Sequence, residues 1–431
     1  MKKMIVISHD AMVYDDLEYL RTKPAFQYLL ENGAQVKKVR TIYPSITYPV
    51  HTTVMTGKYV KDHGITGNET EVCGVRAAKW HFFHEDVKVP TVFEAAKKAG
   101  YSTGAVFWPV TGNNPHVDYL VNEYWSQTSE EPILDAFRSA GSSETVIEKV
   151  IRPNVPLVAG HQRQHPWTDA FTMNMACDMI LNFQPDFMMV HPAVIDGFRH
   201  HSGVFTDKVT QALDYTAQWT QQLIDATIKA GTFEDTDFII MSDHGQMNTS
   251  RIVNPNVLLA DAGLIDVAED CSVRDWRAWV KSAGMTAQVY LKDPADKALE
   301  AQVADVLFRA CAEGVYGIGQ VFTEAETREA EGFGGSFSFV LESDGITSFG
   351  PDWCRPLLKN YDLSDYRYGR ATHGYMPDKG PQPTLICCGP SFKKGTVVER
   401  RPIVDITATI CKVLGLDMPD IAGQPIDEIL K

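Results

Sequence analysis

Residues Phe238-Ile239-Ile240-Met241-Ser242-Asp243-His244-Gly245 decide the fold: a short apolar run ends on a polar turn rich in ligand-type side chains. The pattern recurs at Met4 to Ser8 before His9-Asp10, and at Asp186 to Val190 shortly before Asp196. Runs of this length bounded by turn residues read as buried strands. Helix signals lie between them. Pro24 to Asn32 has Pro in its first turn and Gly33 as its stop, and Thr91-Val92-Phe93-Glu94 is a capping box opening a helix that ends at Gly100. A strand over Ser102 to Phe107 follows, and helical stretches Pro166 to Phe183 and Thr206 to Ala230 precede the two later strands. Strands alternating with helices predict an α/β fold with a mostly parallel central sheet flanked by helices.

From about Arg251 to Arg367 the rhythm changes to polar helices, Gly332-Phe333-Gly334-Gly335 and the alternating Ser336-Phe337-Ser338-Phe339-Val340. This stretch, 251–367, is expected to be an inserted cap domain, with the catalytic core made from 1–250 and 368–431. Thr384 to Cys388 reads as a returning core strand, and Asp405 as the cap of a last helix that stops at Gly415. A chain of 431 residues is large enough for a core plus such an insertion.

The formal net charge of -15 argues against binding a nucleic-acid polymer or an anionic membrane, since both need a basic face. The apolar run after Lys2-Lys3 is too short for a signal-peptide core and no long apolar run follows, which predicts a cytoplasmic protein without a membrane span. The cysteines at 73, 177, 271, 311, 354, 387, 388 and 411 lack CxxC spacing and read as reduced, mostly buried thiols.

Asp10, Asp196 and Asp243-His244 all follow predicted strands. In an open parallel sheet the carboxyl ends of the strands share one edge, where such folds bind ligands. Asp196 and His200 stand one helical turn apart, and Gly245 lets the backbone turn to present Asp243 and His244 together. His373, in Thr372-His373-Gly374-Tyr375, supplies a third imidazole from beyond the cap. Oxygen and nitrogen donors without thiolate suit zinc, with manganese or iron as substitutes. Singly, Asp10 or His373 reads as a structural residue; together the set reads as a metal site. Thr47 stands before a Pro-containing segment opening the apolar helix that ends at Gly57. By itself Thr47 reads as an N-cap; beside a metal its hydroxyl reads as a nucleophile.

Thr47-Tyr48-Pro49-Val50-His51, His63-Gly64-Ile65-Thr66-Gly67-Asn68, Phe107-Trp108-Pro109, Asp196 through His200, Ser242-Asp243-His244-Gly245 and His373-Gly374-Tyr375 resemble the successive motifs of the nucleotide pyrophosphatase/phosphodiesterase branch of the alkaline phosphatase superfamily. The resemblance covers the core but not the cap. It implies two zinc ions, one held by Asp196, His200 and His373, the other by Asp10, Asp243, His244 and the Thr47 oxygen. It further implies a phosphothreonine intermediate on Thr47 and an Asn68 amide that donates to a non-bridging phosphate oxygen; the alternative for Asn68 is a left-handed turn residue.

Some positions depart from the family. Five residues before Asp196, where nucleotide-cleaving members carry a base-stacking tyrosine, this chain has His191, although Tyr48 remains to form one aromatic wall. Arg76 or Lys79 could imitate the lysines of phosphonoacetate-cleaving relatives, or be surface charge. Cys354-Arg355-Pro356 has the wrong order for a sulfatase motif. The segment Thr47 to Gly57 has no Lys or Arg, so a diester, with one charge and two organic arms, is expected over a monoester. Arg199 is the residue that could reverse this by turning toward phosphate. The expected substrates are small phosphodiesters, nucleotides or phosphonates. The competing expectations are a phosphonoacetate-type hydrolase, a phosphomonoesterase, or an inactive metal-binding structural protein.

Overall fold

The computed structural model describes residues 2–70, 72–75, 78–364 and 369–431. Arg76, and Arg367 at the expected end of the cap, lie outside the described residues. The strands that matter here are β1 (Lys3–Ser8), β2 (Ala34–Arg40), β3 (Thr103–Val106), β4 (Tyr119–Val121), β5 (Phe187–Val190) and β6 (Thr236–Met241). They are followed by β7 (Ala278–Ala283), β8 (Thr286–Leu291), β9 (Ile318–Thr323), β10 (Phe339–Ser343), β11 (Leu385–Cys388) and β12 (Val397–Pro402).

The central sheet has eight strands in the order β12-β2-β11-β6-β1-β5-β3-β4. Only β11 runs against its neighbours β2 and β6. Side-chain alternation explains why its central strands read as unbroken apolar runs. Met4 and Val6 enter one core with Phe187, Met189, Ile239 and Met241, while Ile5 and Ile7 enter the opposite core with Met188, Val190, Phe238 and Ile240. A parallel sheet covered on both faces needs this double-sided apolarity.

Register places the strand ends together: Ser8 pairs Met241, Ile7 pairs Val190, and Val106 also pairs Val190. The residues that follow β1, β3, β5 and β6 therefore emerge along one edge. The helices used below begin with α1 (Pro24–Asn32), α2 (Thr47–Thr56), α3 (Val92–Lys98) and α4 (Trp167–Phe183). Next come α5 (Val194–Ser202), α6 (Asp207–Lys229), α7 (Lys297–Glu313) and α8 (Asp405–Leu414).

Within 251–364 the strands β7-β8-β10-β9 form an antiparallel sheet in that spatial order. Its far face packs α7 through Leu299, Val303 and Leu307 onto Val289 and Leu341. Its other side is continuous with the main core, where Tyr290, Phe333, Phe337 and Val340 join Tyr43, Val50 and Val54. Strand β2 and the edge strands β4 and β12 complete the sheet beyond the elements expected from sequence.

Two local expectations are corrected. Val404, not Asp405, is the N-cap of α8; Asp405 is its first residue and its Oδ1 accepts the Gln424 amide at 2.8 Å. Cys271 and Cys354 form a disulfide across a separation of 83 residues, so not all cysteines are reduced thiols. No CxxC spacing announced a pair that distant. Cys387 and Cys388 are buried in β11 as expected.

Candidate metal centre

Asp196 and His200 lie on α5, one turn apart, with His200 Nε2 3.3 Å from Asp196 Oδ1. His373 Nε2 comes within 3.9 Å of the same oxygen. Each ring is aimed from behind: His200 Nδ1 is 2.7 Å from the Ala371 carbonyl and His373 Nδ1 is 3.2 Å from the Ser45 carbonyl. A ring nitrogen donating to a backbone carbonyl leaves Nε2 as a lone-pair donor, the tautomer that binds metal.

The second group forms where β1 and β6 end. His244 Nε2 lies 3.5 Å from Asp10 Oδ1, 3.2 Å from Asp243 Oδ2 and 3.2 Å from Thr47 Oγ1. The rings of His244 and His373 stack at 3.9 Å, joining the two groups. Asp10, Asp196 and His244 together could hold one cation, and Asp196, His200 and His373 another.

Electrostatics favours a cation here. Burial first, then the negative charges of Asp243 and Asp196, push the Asp10 carboxyl well above the usual carboxylate range. Burial would also raise Asp196, but His200, and after it His373 and His244, hold it far below that range. Among the described residues, no hydrogen-bond partner reaches the buried Asp10 Oδ1 or Asp243 Oδ2. An unpaired buried carboxylate oxygen costs several kcal/mol by any solvation estimate, on the order of 2–7 for a neutral polar group and more for a charge, so a divalent ion matches this donor set. The absence of thiolate fits zinc, manganese or iron.

Thr47 is the first residue of α2, with Ile46 as the N-cap and no side-chain capping bond. The N-cap reading is thus replaced: the hydroxyl is turned to His244 instead of to its own helix. Tyr48 donates its backbone N–H to Asn68 Oδ1 at 2.9 Å, which orients the Asn68 amide and leaves its NH2 group for another acceptor. Asn68 is not among the residues with positive φ, so the left-handed turn reading fails.

Three residues hold the ligands in place: Gln246 and His51, to which the sequence assigns no role, and His191, which it places at the substrate. Gln246 donates from Nε2 to Asp196 Oδ1 and, at 3.1 Å, to the Asp196 carbonyl. His51 bridges the Thr47 carbonyl at 2.7 Å and Ser8 Oγ at 2.9 Å, and burial holds its pKa down to about 3. His191 Nε2 lies 3.0 Å from Asp10 Oδ2 and its Nδ1 lies 3.3 Å from the Phe107 carbonyl. His191 had been expected at the substrate; both its nitrogens are turned to protein atoms. Only Gln246, two residues beyond His244, carried a sequence signal, through its place in the strand-end turn.

Two glycines are required by close approach. A Cβ on Gly245 would lie 2.2 Å from the Pro381 carbonyl oxygen, and one on Gly197 would lie 2.2 Å from His165 Cδ2. Gly197 thus sits inside α5, where glycine costs about 1 kcal/mol against alanine, because His165 occupies the space a side chain would need.

Thr47 opens into a cleft of about 590 Å3 whose wall includes Tyr48, Phe107, Glu123, Trp125, Arg163 and His165. Tyr48 is fully buried, its ring edge-on to Trp80 at 5.2 Å. A narrower recess of about 90 Å3 runs the other way past Asn68 and His373, between Val72, Val75 and the β7 residues Trp279 to Ala283. Arg199 reaches neither space: it is fully buried, donating from Nη2 to Asp16 Oδ1 at 2.6 Å, from Nε to Val204 O at 3.1 Å, and from Nη1 to Ala11 O. Lys79 is also absent from both, its Nζ lying 5.1 Å from the Phe83 ring centroid.

A mostly parallel α/β sheet with its ligands at the strand carboxyl ends defines the alkaline phosphatase-like class of fold. The chain matches the model of the type I phosphodiesterase / nucleotide pyrophosphatase family over residues 4–326, and it belongs to that family. Human ectonucleotide pyrophosphatase/phosphodiesterase family member 5 is 30% identical over 122 residues, covering 27% of this chain and 25% of that protein. A Caenorhabditis elegans ectonucleotide pyrophosphatase/phosphodiesterase is 21% identical over 425 residues, covering 96% of this chain and 47% of that protein. The chain thus spans under half the length of these relatives. The solved structure of murine ectonucleotide pyrophosphatase/phosphodiesterase 5, an inactive variant in complex with AMP, has a TM-score of 0.68 at 16% identity, covering 100% of both chains.

Proposed function

We propose that this chain is a metal-dependent hydrolase of small phosphorus esters, a phosphodiesterase or nucleotide pyrophosphatase, with Thr47 as nucleophile. The observation that carries the reading is Thr47 Oγ1 at 3.2 Å from His244 Nε2, beside the buried carboxylates of Asp10 and Asp243, whose Oδ1 and Oδ2, respectively, make no hydrogen bond among the described residues. Asp196, His200 and His373 would hold one zinc, and Asp10, Asp243, His244 and Thr47 the other. Bound there, zinc supplies Lewis-acid polarisation of the ester and a lowered hydroxyl pKa.

The chain's own residues do the rest. Thr47 Oγ1 forms a bond to phosphorus as the ester oxygen leaves, giving a phosphothreonine, and water then cleaves that phosphorus–oxygen bond to restore the hydroxyl. The Asn68 NH2, fixed through its Oδ1, donates to one non-bridging oxygen. His51 fixes the Thr47 carbonyl and so the start of α2. Arg199 is held by Asp16, Ala11 and Val204 and so does not turn toward Thr47 to answer the second charge of a monoester. That favours diesters over monoesters and over phosphonates. AMP in the murine complex supports a nucleotide substrate.

The test is a panel of aryl diester, aryl monoester, nucleotide and phosphonoacetate on zinc-loaded protein, with Thr47→Ala beside it. Diester turnover lost in Thr47→Ala at unchanged metal content is expected. A monoester preference of tenfold or more, about 1.4 kcal/mol, refutes the diesterase reading, and activity surviving Thr47→Ala refutes the nucleophile.

A further inference from the structure

The 590 Å3 cleft carries basic side chains that the reading above does not use. Arg163 lies with its guanidinium carbon 4.2 Å from the Trp125 ring centroid and 6.0 Å from that of Trp80. A guanidinium on an aromatic face is held by stacking while its five donors stay open at the edge. Lys208, at the start of α6, lines the same cleft, and among the described residues neither it nor Arg163 is in an ion pair.

The carboxylates on that wall are already committed. Asp10 and Asp196 belong to the metal centre. Asp169 accepts from Ala193 N at 2.7 Å and lies 2.6 Å from His165 Nδ1. Burial opposes charge on His165, but Asp169 outweighs it and keeps the ring pKa above its ordinary value. Burial, against a Tyr48 hydrogen bond and the nearby Arg163 charge, pushes the Glu123 carboxyl up to about 8. In a chain of net charge -15, Arg163 and Lys208 thus line one cleft without an ion-pair partner among the described residues.

We propose that Arg163, seated on Trp125 with His165 and Lys208 on the same wall, forms an oxyanion subsite for a terminal phosphoryl group on one arm of the substrate. This rests on the diesterase reading for the identity of the other phosphorus, which Thr47 attacks. A phosphoryl or carboxylate group takes two parallel donors from one guanidinium, a geometry lysine cannot supply. The substrate class is therefore a small diester or anhydride with a second anionic group, and the recess past Asn68, lined by Val72, Val75 and Trp279, takes the less polar arm.

The experiment compares three aryl diesters, 4-nitrophenyl phosphates whose second arm is ethyl, 3-carboxypropyl or 2-phosphonoethyl. Each is measured by kcat/KM on the zinc-loaded enzyme and by calorimetric binding to Thr47→Ala. A tenfold or greater advantage of the phosphonoethyl over the ethyl arm is expected, falling toward one in Arg163→Gln and only partly restored in Arg163→Lys. An equal advantage for the carboxypropyl arm would assign the same subsite to carboxylates. Equal values for all three arms, or an advantage that survives Arg163→Gln, overturn the subsite. If no ester is turned over, the diesterase reading fails, and the calorimetric difference still decides the subsite.

Discussion

Arg199 and Asp16 form a buried ion pair, Nη2 to Oδ1 at 2.6 Å, with Arg199 on the same helix as Asp196 and His200. Burial pushes the Asp16 carboxyl up, and Arg199 holds against it. Removing one partner of such a pair leaves an uncompensated buried charge, which costs about 3–5 kcal/mol. Arg199→Ala is expected to lower the thermal midpoint sharply while leaving the diester-to-monoester ratio where it was. A ratio that moves toward monoesters or away from them would place Arg199 at the phosphate.

Asn68→Ala removes a donor and also the acceptor that fixes the Tyr48 amide. Loss of one oxyanion donor costs roughly 10²–10³ in kcat. The expected outcome is a fall of that size in steady-state kcat, with Asn68→Asp equally impaired because its carboxylate offers no donor to phosphate. Metal content, read by mass spectrometry, is expected to stay the same in both variants.

Zinc held at the proposed centre, built from residues far apart in sequence, would stabilise the folded chain over the unfolded one. At a free concentration of about 100 Kd a one-site ligand adds about 2.7 kcal/mol of stability. Calorimetric melting is expected to rise on adding zinc, fall with a chelator and respond to Asp196→Asn and His373→Ala. A midpoint indifferent to chelator would argue against the metal centre.

His63 reports on pH. It is buried, with Nε2 3.1 Å from Thr53 Oγ1 and Nδ1 accepting the Ile65 amide at 3.1 Å, and burial lowers its pKa from 6.5 to about 3. The folded ring stays neutral where the unfolded ring takes up a proton. Its contribution to stability is therefore fully present above about pH 6.5 and is lost progressively as pH falls toward 3. Urea midpoints between pH 4 and 7 should drop less steeply in His63→Gln than in the parent chain.

The elements legible from sequence are those with strong local patterns. β1, β5 and β6 are apolar on both faces and ended by ligand residues, so their runs stood out, and the four-residue spacing of Asp196 and His200 survived as one turn of α5. The edge strand β12 and its neighbour β2 did not: Ala34 to Arg40 and Val397 to Pro402 mix in Lys, Glu and Arg on a partly exposed sheet margin and resemble loops. The clamps on the ligands were invisible for another reason. His191 and His51 act through contacts with Asp10 and Thr47 that only the folded register creates. Arg163 and Trp125 sit in irregular connections, where no periodicity marks a neighbour 38 positions away.

β11 lies between β2 and β6 although it is among the last strands in the chain, and His373 comes just before it. On a ribosome, a nascent chain released as far as residue 250 would display Asp10, Thr47, Asp196, His200, Asp243 and His244 around an incomplete centre. Its strands β6-β1-β5-β3-β4 would lack the strand that joins them to β2. Both the third imidazole and that joining strand lie after β10 in the chain, so closure of the scaffold and completion of the ligand set wait on the same later part of synthesis. Premature termination before His373 would forfeit the two together, and activity would be all-or-none with respect to translation past β10.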